Sequence, residues 1–211
     1  MLLLSALLAT AIGQAAVPPV PGLCSAPVPA DRETPGCYKT GEIDLNGAPR
    51  QLYWHVYEAD SLEAAEAEAR NHAWATVAEA HSRTWLYVLG GPNEIAGGGA
   101  QPRAVIGPLT VPVGPATAHF SEAIFPPGMR TRVHAHPGPE AFFVVEGEQC
   151  MESPSDRRRV GAGETYIVPG GPHLQAAPNG RRNLVLIIAP ADVPFVVPGG
   201  EGWAPSTFCD S

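Results

Sequence analysis

Short apolar or alternating segments, each bounded by turn residues, fill the second half of the chain. Alternation with a two-residue repeat is typical of half-buried strands, and glycine or proline clusters between such segments end them. Many short strands at regular spacing favour a β-sandwich or a β-barrel. We therefore predict a mainly β fold with strands at 103–106, 117–125, 131–135, 140–146, 148–152, 157–160, 164–169, 173–176, 183–189 and 193–197.

The first half of the chain mixes strand and helix patterns. Residues 52–57 are rich in the aromatic and branched side chains that strands favour, and residues 74–77 and 84–89 predict two further strands. An alanine-rich segment between them predicts a helix. Asp60 is its predicted N-cap, and Glu63 follows at the spacing of a capping box.

The N-terminus predicts an export signal. Residues 2–12 form an uncharged apolar run, which is too short to span a bilayer because a spanning helix needs about 20 apolar residues. Gly13-Gln14-Ala15 follows with the small residues of a cleavage site. We expect a secreted or periplasmic protein that has no membrane contact after cleavage.

These patterns divide the chain into segments around a central barrel. A signal peptide and a proline-rich stretch precede the folded part, which begins with an α+β extension packed on the barrel. The role of that extension stays open, because it can pack outside the barrel, add strands to its sheet or lid its cavity. The segments are 1–16 (signal peptide), 17–37 (proline-rich), 38–105 (extension), 106–198 (barrel) and 199–211 (C-terminal tail).

Composition and charge narrow the range of partners. Glycine (23 residues) and proline (24 residues) are abundant, which suits turn-rich β structure. The formal net charge is −8, whereas nucleic-acid binding needs a basic surface, so we expect no nucleic-acid partner. The glycine-rich segment 90–101 lacks the Lys-Ser/Thr pair of a phosphate-binding loop and is interpreted as a connection.

The cysteines predict disulfides, because an even count of 4 in an exported chain favours pairing. Cys24, Cys37 and Cys209 lie near the chain ends, which often meet on the surface of a domain. We expect two of these three to be bridged, most simply Cys24 with Cys37. Cys150 is interpreted as a buried or bridged structural thiol.

One short segment carries the candidate chemistry. On a strand, the side chains of His134 and His136 share a face, and both imidazoles can reach one ion at about 2.0–2.1 Å. A Pro-Gly-Pro turn follows, and Glu140 opens the returning strand, where its carboxylate can meet the same point. His173 stands just beyond a second turn, and in a closed barrel it can supply a fourth ligand from the opposite wall.

The spacing of these residues resembles the first motif of the cupin superfamily. That motif is glycine, five residues, His-x-His, three or four residues, glutamate, six residues and glycine. The chain matches every fixed position, with Gly128, His134, His136, Glu140 and Gly147.

The second motif of that superfamily is matched less completely. It is glycine, five residues, Pro-x-Gly, two residues, histidine, three residues and asparagine. Gly163, Pro169, Gly171 and His173 follow this order, but one residue is missing before the histidine, and position 177 is alanine. The resemblance implies a jelly-roll β-barrel, often a homodimer, with a metal in its cavity.

Three histidines and one carboxylate suit a divalent transition metal, and ligand type does not choose among Fe, Mn, Ni and Zn. Four protein ligands saturate a tetrahedral zinc, whereas an octahedral metal keeps two positions open for substrate or dioxygen. Glu140 can remain a ligand or act as a base. Arg132, or Arg130 on the same predicted strand face, can pair with an anionic substrate or simply end the strand in solvent. Tyr166 can donate a proton in the cavity or pack in the wall, and packing is favoured.

Other residues near the motif have structural interpretations. Phe142 and Val144 share the strand face of Glu140 and are expected to form an apolar wall. His119 can line the cavity, although a structural role is favoured. A structural or exposed role is also expected of the remaining histidines, His55, His72 and His81.

Three functions fit these expectations. The first is a metal-dependent enzyme that acts on a small molecule. A dioxygenase reaction is favoured, and an isomerase or lyase reaction is the alternative. The second is a non-catalytic cupin that binds a small molecule or a sugar. The third is an exported structural or storage barrel with a small, filled cavity.

Overall fold

The computed structural model describes residues 24–200 and 202–210, so the predicted signal peptide and residues 17–23 of the proline-rich segment lie outside the described residues. Two β-sheets dominate this part of the chain. None of its helices is both long and apolar enough to cross a membrane. The elements are β1 (Ala26–Pro27), β2 (Gly36–Asp44), β3 (Gln51–Ala59), α1 (Leu62–Ala69), β4 (Ala75–Ala80), β5 (Arg83–Gly90), β6 (Gln101–Thr110), β7 (Ala116–Phe125), β8 (Met129–Arg130), β9 (His134–His136), β10 (Glu140–Glu152), β11 (Arg157–Gly161), β12 (Thr165–Val168), β13 (Gly171–Ala177), β14 (Arg181–Pro190), β15 (Val197–Pro198) and a 3-10 turn (Phe208–Asp210).

The larger sheet curls into a barrel-like layer. Its strand order is β1-β2-β7-β14-β10-β13-β9-β15, and the pairs from β2 to β9 are antiparallel. Neighbours such as β7 and β14 are far apart in the chain, which is the crossover pattern of a jelly roll rather than of a series of hairpins. The predicted mainly β, jelly-roll fold is confirmed.

Alternate residues of the barrel strands face two different cores. On β14, Leu184, Leu186 and Ile188 belong to the cluster shared with the smaller sheet. Val185 and Ile187 belong to a second cluster inside the barrel. Because side chains alternate along a strand, each strand separates an inner face from an outer face.

The same alternation fixes the inner face of β10. Phe142 packs in the inner cluster, while Ala141 and Phe143 pack in the outer one. Glu140 and Val144 share the parity of Phe142, so they lie on the inner face, and both are buried. Register confirms this for Glu140, which pairs with the inner residue Ile187.

The smaller sheet, β4-β5-β3-β6, packs against the outer face of the barrel. The rings of Trp54 and Tyr87 lie 5.9 Å and 5.0 Å from the ring of Phe120 on β7. Trp85 meets Phe143 of β10 at 6.0 Å. Such aromatic pairs contribute about 0.5–1.5 kcal/mol each beyond the area they bury. Most of the extension is therefore a second layer outside the barrel.

One strand of the extension instead joins the barrel. β2 pairs with β7 over most of its length, so the extension also adds a strand to the larger sheet. The predicted Cys24–Cys37 disulfide is confirmed. A second disulfide joins Cys150 of β10 to Cys209 of the 3-10 turn, which confirms a bridged structural role for Cys150.

The helix begins one residue later than predicted. Ser61, not Asp60, is the N-cap of α1, and its hydroxyl accepts a hydrogen bond from the backbone N–H of Ala64 at 3.2 Å. Both residues are favourable caps. β3 runs to Ala59, which leaves Asp60 as the connection between strand and helix.

Gly147, the last glycine of the first motif, lies inside a strand and does not form a tight turn. Residues 140–152 are one strand, β10, which pairs with β14 before Gly147 and with β11 after it. Gly147 has a φ of +74°, and a Cβ there would stand 2.1 Å from the carbonyl oxygen of Gly180. The glycine therefore permits a close approach between two chain segments, where the strand changes partners.

Two further strand predictions are wrong. The predicted strand 131–135 is broken, because β8 ends at Arg130 and β9 begins at His134. The predicted strand 193–197 is mostly irregular, and β15 covers only Val197–Pro198. There the backbone carbonyl of Phe195 bonds to a histidine side chain instead of to a neighbouring strand.

Candidate metal centre

The structure brings all four predicted ligands together. One possible ligand atom from each of His134, His136, Glu140 and His173 lies within 4.8 Å of the others. These residues are hereafter the His/Glu cluster. β9 supplies two histidines, the first residue of β10 supplies the glutamate, and β13 supplies the last histidine.

His173 comes from the neighbouring strand and not from the opposite wall. β13 pairs antiparallel with β9, and His173 lies directly opposite His134 in the register. Side chains of directly opposed residues on one sheet face are about 4.5–5.5 Å apart at Cβ. Their rings are accordingly close, with centroids 4.3 Å apart.

Backbone carbonyls orient the three imidazoles. The Nδ1 atom of His134 lies 2.8 Å from the carbonyl oxygen of Arg132. The Nδ1 atom of His136 lies 2.6 Å from the carbonyl oxygen of Phe195. The Nδ1 atom of His173 lies 3.1 Å from the carbonyl oxygen of Gly171. A carbonyl oxygen only accepts, so each Nδ1 donates and carries the proton. Each Nε2 is then left with a free lone pair, which is the state of a metal-ligating imidazole.

Unpartnered atoms at the centre of the cluster match a cation. The Nε2 atoms of His136 and His173 lie 3.3 Å and 3.0 Å from the same oxygen of Glu140, Oε2. Both nitrogens are buried, and neither makes a hydrogen bond of acceptable geometry. Buried polar atoms are nearly always satisfied. One divalent ion accepting lone pairs from all of them would satisfy the set, so the residues fit a transition metal.

Burial and neighbouring charges shift the pKa values of the cluster residues, and the two effects often oppose each other. Burial, assisted by His173, lowers the pKa of His134 to about 4. Burial also acts to lower the pKa of His136, but the Glu140 carboxylate outweighs it and the pKa is raised. Burial acts to raise the pKa of Glu140, yet His136 and His173 hold it well below its usual range. The ionised carboxylate and neutral His134 are the protonation states that metal binding requires.

Glu140 is also held by a buried amide that the sequence interpretation missed. The Nε2 atom of Gln175 donates to both carboxylate oxygens, at 3.1 Å and 3.2 Å. Gln175 in turn accepts a hydrogen bond from Arg181 at 2.9 Å. A signal for Gln175 was available, because it lies two residues after His173 and shares its strand face. No comparable local signal marks Arg181.

Comparison with known proteins agrees with this geometry. Residues 121–187 match a family model described as the cupin domain, and the matched span includes the whole His/Glu cluster. The chain contains a cupin domain. No curated protein matches the chain in sequence.

Solved structures similar to the chain include other cupin proteins and two enzymes. A cupin-2 domain containing protein from Shewanella frigidimarina NCIMB 400 is 24% identical, covers 35% of this chain and 70% of its own, and has a TM-score of 0.30. An oxalate oxidase is 26% identical over 38% of this chain and 45% of its own, with a TM-score of 0.33. DMSP lyase DddQ from Ruegeria pomeroyi DSS-3 is 25% identical over 38% of this chain and 42% of its own, with a TM-score of 0.35. The chain thus spans less than half the length of these two enzymes.

A cavity of about 430 Å³ adjoins the His/Glu cluster. Small-molecule sites span about 300–1,000 Å³ and are mainly apolar with a few polar groups. Phe125, Val185 and Val196 supply apolar wall here, and the Cys24–Cys37 bridge also lines the cavity. A cavity of this size contrasts with the small, filled one expected of a storage barrel.

The predicted arginines separate because their strand is broken. Arg132 lines the cavity and is exposed. Arg130 instead forms an ion pair with Asp210, at 2.7 Å. A shared inward face required a regular strand, and the break between β8 and β9 removes that condition.

Tyr166 does not line this cavity. Its hydroxyl donates to Asp156 at 2.8 Å. Its ring packs against the inner hydrophobic cluster, which is the packing role favoured from sequence. The hydroxyl therefore has a partner outside the His/Glu cluster.

The remaining histidines have partners of their own. His119 shares a row of the sheet with Glu140, because Ile187 pairs with both residues. Its ring stacks on Phe195 at 4.3 Å, and it does not line the cavity. Backbone carbonyls or carboxylates outside the His/Glu cluster bind the other three, His55, His72 and His81.

Proposed function

We propose that this protein is an exported, metal-dependent enzyme that acts on a small molecule, with dioxygenase chemistry as the leading reaction. The cluster of His134, His136, Glu140 and His173 would hold one divalent transition metal: Fe, Mn, Ni or Zn. The observation that carries the proposal is that this cluster, with its unpartnered nitrogens, borders a cavity of about 430 Å³. A storage protein needs neither the cluster nor the cavity.

A divalent metal bound there supplies Lewis-acid or redox chemistry at coordination positions beyond the four protein ligands. The chain's own residues prepare that site. Backbone carbonyls fix the imidazoles before any ligand arrives, which removes part of the ordering cost. Ionised Glu140, held by Gln175, can ligate or accept a proton from a substrate at hydrogen-bond distance. The apolar walls keep water away from the reacting groups.

Export is supported by the disulfides. Both bridges join cysteines within the described residues, and disulfides persist in oxidising compartments rather than in the cytosol. The predicted signal peptide lies outside those residues, so export remains part of the proposal.

Oxygen uptake tests the proposed activity. The parent protein, loaded with Fe(II), would be supplied with a panel of small organic acids, phenols and thiols in an oxygen electrode. Substrate-dependent uptake in the parent, with equimolar substrate loss and no release of hydrogen peroxide, supports a dioxygenase. A His134→Ala/His136→Ala double variant should be inactive. A His72→Ala variant, which alters a histidine of the outer layer, should match the parent. Ligand binding without turnover across the panel would instead indicate a non-catalytic binding cupin.

A further inference from the structure

The cavity contains a buried guanidinium that the His/Glu cluster does not require as a ligand. Arg181 is the first residue of β14, and only 3% of its surface is exposed. It shares the inward parity of Val185 and lines the same cavity as His134 and Glu140. A charged side chain is therefore presented inside the barrel within reach of a ligand.

No carboxylate pairs with this guanidinium among residues 24–200 and 202–210. One Nη atom donates to Gln175 at 2.9 Å, and the group lies 3.8 Å from the ring centroid of Phe125. With its amide oxygen turned towards Arg181, Asn183 accepts from the other Nη at 2.6 Å. The Nε atom is buried and has no hydrogen-bond partner. The carboxylate of Glu140 interacts electrostatically with the guanidinium, but it lies on the far side of the Gln175 amide.

The adjacent arginine, Arg182, differs from Arg181 in having carboxylate partners at the surface. Arg182 points the other way and forms surface ion pairs with Glu33 and Glu146. A buried cation without an anionic partner is unfavourable, and apolar replacements of buried charges are often neutral or stabilising. Arg181 therefore costs stability that an anionic ligand would offset. Burial lowers the pKa of Arg181 to about 9, so it remains protonated at neutral pH.

We propose that Arg181 is the anion anchor of this cavity and that the substrate is a small organic carboxylate. This inference rests on the proposed function and names the substrate class of the same site. The carboxylate would take the unused Nε–H and a neighbouring N–H, since a guanidinium binds carboxylates through paired donors. The opposite end of the molecule would face the His/Glu cluster.

The dimensions of the site limit the length of that molecule. Gln175 alone bridges the two ends, with its oxygen on Arg181 and its nitrogen on Glu140. A chain of a few carbon atoms is therefore long enough to reach from the guanidinium to the cluster. Phe125, Val185 and Ala123 supply apolar wall that suits such a hydrocarbon segment.

A positioning role through Gln175 is the competing explanation. In that case Arg181 only holds Gln175, which holds Glu140, and its removal would weaken metal binding without changing ligand preference. Arg132 offers a second competing explanation, because it is a cation at the exposed edge of the same cavity. The experiment must separate all three.

The test compares pentanoate with its neutral analogue pentanamide by calorimetry on the full chain. Titration after chelator treatment prevents the probe from binding to metal, and a parallel titration uses metal-loaded protein. The parent should prefer pentanoate by about tenfold or more, since a hydrogen bond to a charged group contributes about 1.5–3 kcal/mol. Arg181→Met should reduce the preference to less than about twofold on the same energetic argument, while Arg181→Lys should keep most of it. Arg182→Met is the matched control and should behave as the parent does.

Several results would overturn the assignment. Equal binding of the two probes to the parent would do so, as would a preference that survives in Arg181→Met or disappears only in Arg132→Met. Circular dichroism confirms that each variant is folded, and Arg181→Lys separates loss of charge from loss of shape. Metal content is measured on the same samples. A parent that prefers pentanoate but never takes up metal would contradict the proposed function alone, whereas a metal-loaded parent without the preference would contradict the anchor alone.

Discussion

The amide nitrogen of Gln175 donates hydrogen bonds to both carboxylate oxygens of Glu140, at 3.1 Å and 3.2 Å, and both side chains are buried. The contact holds the carboxylate against the histidines that share its Oε2 atom. Residues that orient metal ligands in this way commonly change metal affinity by about 10–100-fold when they are replaced.

We therefore expect Gln175→Leu to weaken metal binding by about 10–100-fold while the barrel stays folded. Competition with a chelator of known affinity measures the change. Gln149→Leu is the matched control, because Gln149 is also buried but lies against Asn183 and Met151 instead of Glu140. Equal affinities in the Gln175 variant and the parent would show that the amide does not hold the carboxylate.

The two disulfides should contribute unequally to stability. Cys150 and Cys209 are separated by 59 positions, whereas Cys24 and Cys37 are separated by 13. A longer closed loop removes more entropy from the unfolded chain, which gives about 4 kcal/mol for the first bridge and about 3 kcal/mol for the second. Urea unfolding of the two double-alanine variants measures both losses. A larger loss without the Cys24–Cys37 bridge would contradict the loop-length argument and point to its packing at the cavity wall.

His81 should make stability depend on pH. Its side chain is buried in the turn between β4 and β5, and its Nε2 donates to the carbonyl of Asn183 at 2.9 Å. Burial lowers its pKa from 6.5 to about 4. Between those values the unfolded chain binds more protons than the folded chain, so the free energy of unfolding falls as the pH falls from 6.5 to about 4.

His81→Asn should remove this contribution. Asparagine cannot take up the proton, and it tolerates the positive φ of 51° at this position. The slope of unfolding free energy against pH should decrease by up to about 1.4 kcal/mol per pH unit within that window. Glu122, which faces His81, has a pKa raised by burial, and its opposite contribution remains in both proteins. Parallel curves for variant and parent across urea unfolding at several pH values would contradict the assignment.

Local pattern was sufficient for the parts of the site that lie on one strand or across one turn. His134 and His136 share a face because side chains alternate, and that rule needs no knowledge of the rest of the fold. His173 was correctly grouped with them, but it was expected on the opposite wall of the barrel and instead lies on the strand next to β9. The pairing of β13 with β9 is a contact between segments that are distant in the sequence. Sequence spacing does not set the register of such a pair.

Glycine and arginine show a second limit. Gly147 lies inside a long strand, where its lack of a side chain allows a positive φ and a close contact with a second chain segment. Glycine is equally typical of a turn, so the residue type alone does not distinguish the two roles. Arg181 and Arg182 are adjacent and chemically identical, and only the inward parity of β14 shows which one enters the cavity. These differences arise from tertiary packing.

Metal content of the mature protein tests the central claim most directly. The parent and the His134→Ala/His136→Ala double variant would be purified without chelator from their native compartment and analysed by elemental mass spectrometry. We expect close to one divalent transition metal per chain in the parent and none in the double variant, with circular dichroism showing a folded barrel in both. Full metal content in the double variant, or a parent that stays metal-free after reconstitution with Fe, Mn, Ni and Zn, would contradict the His/Glu cluster as a metal centre.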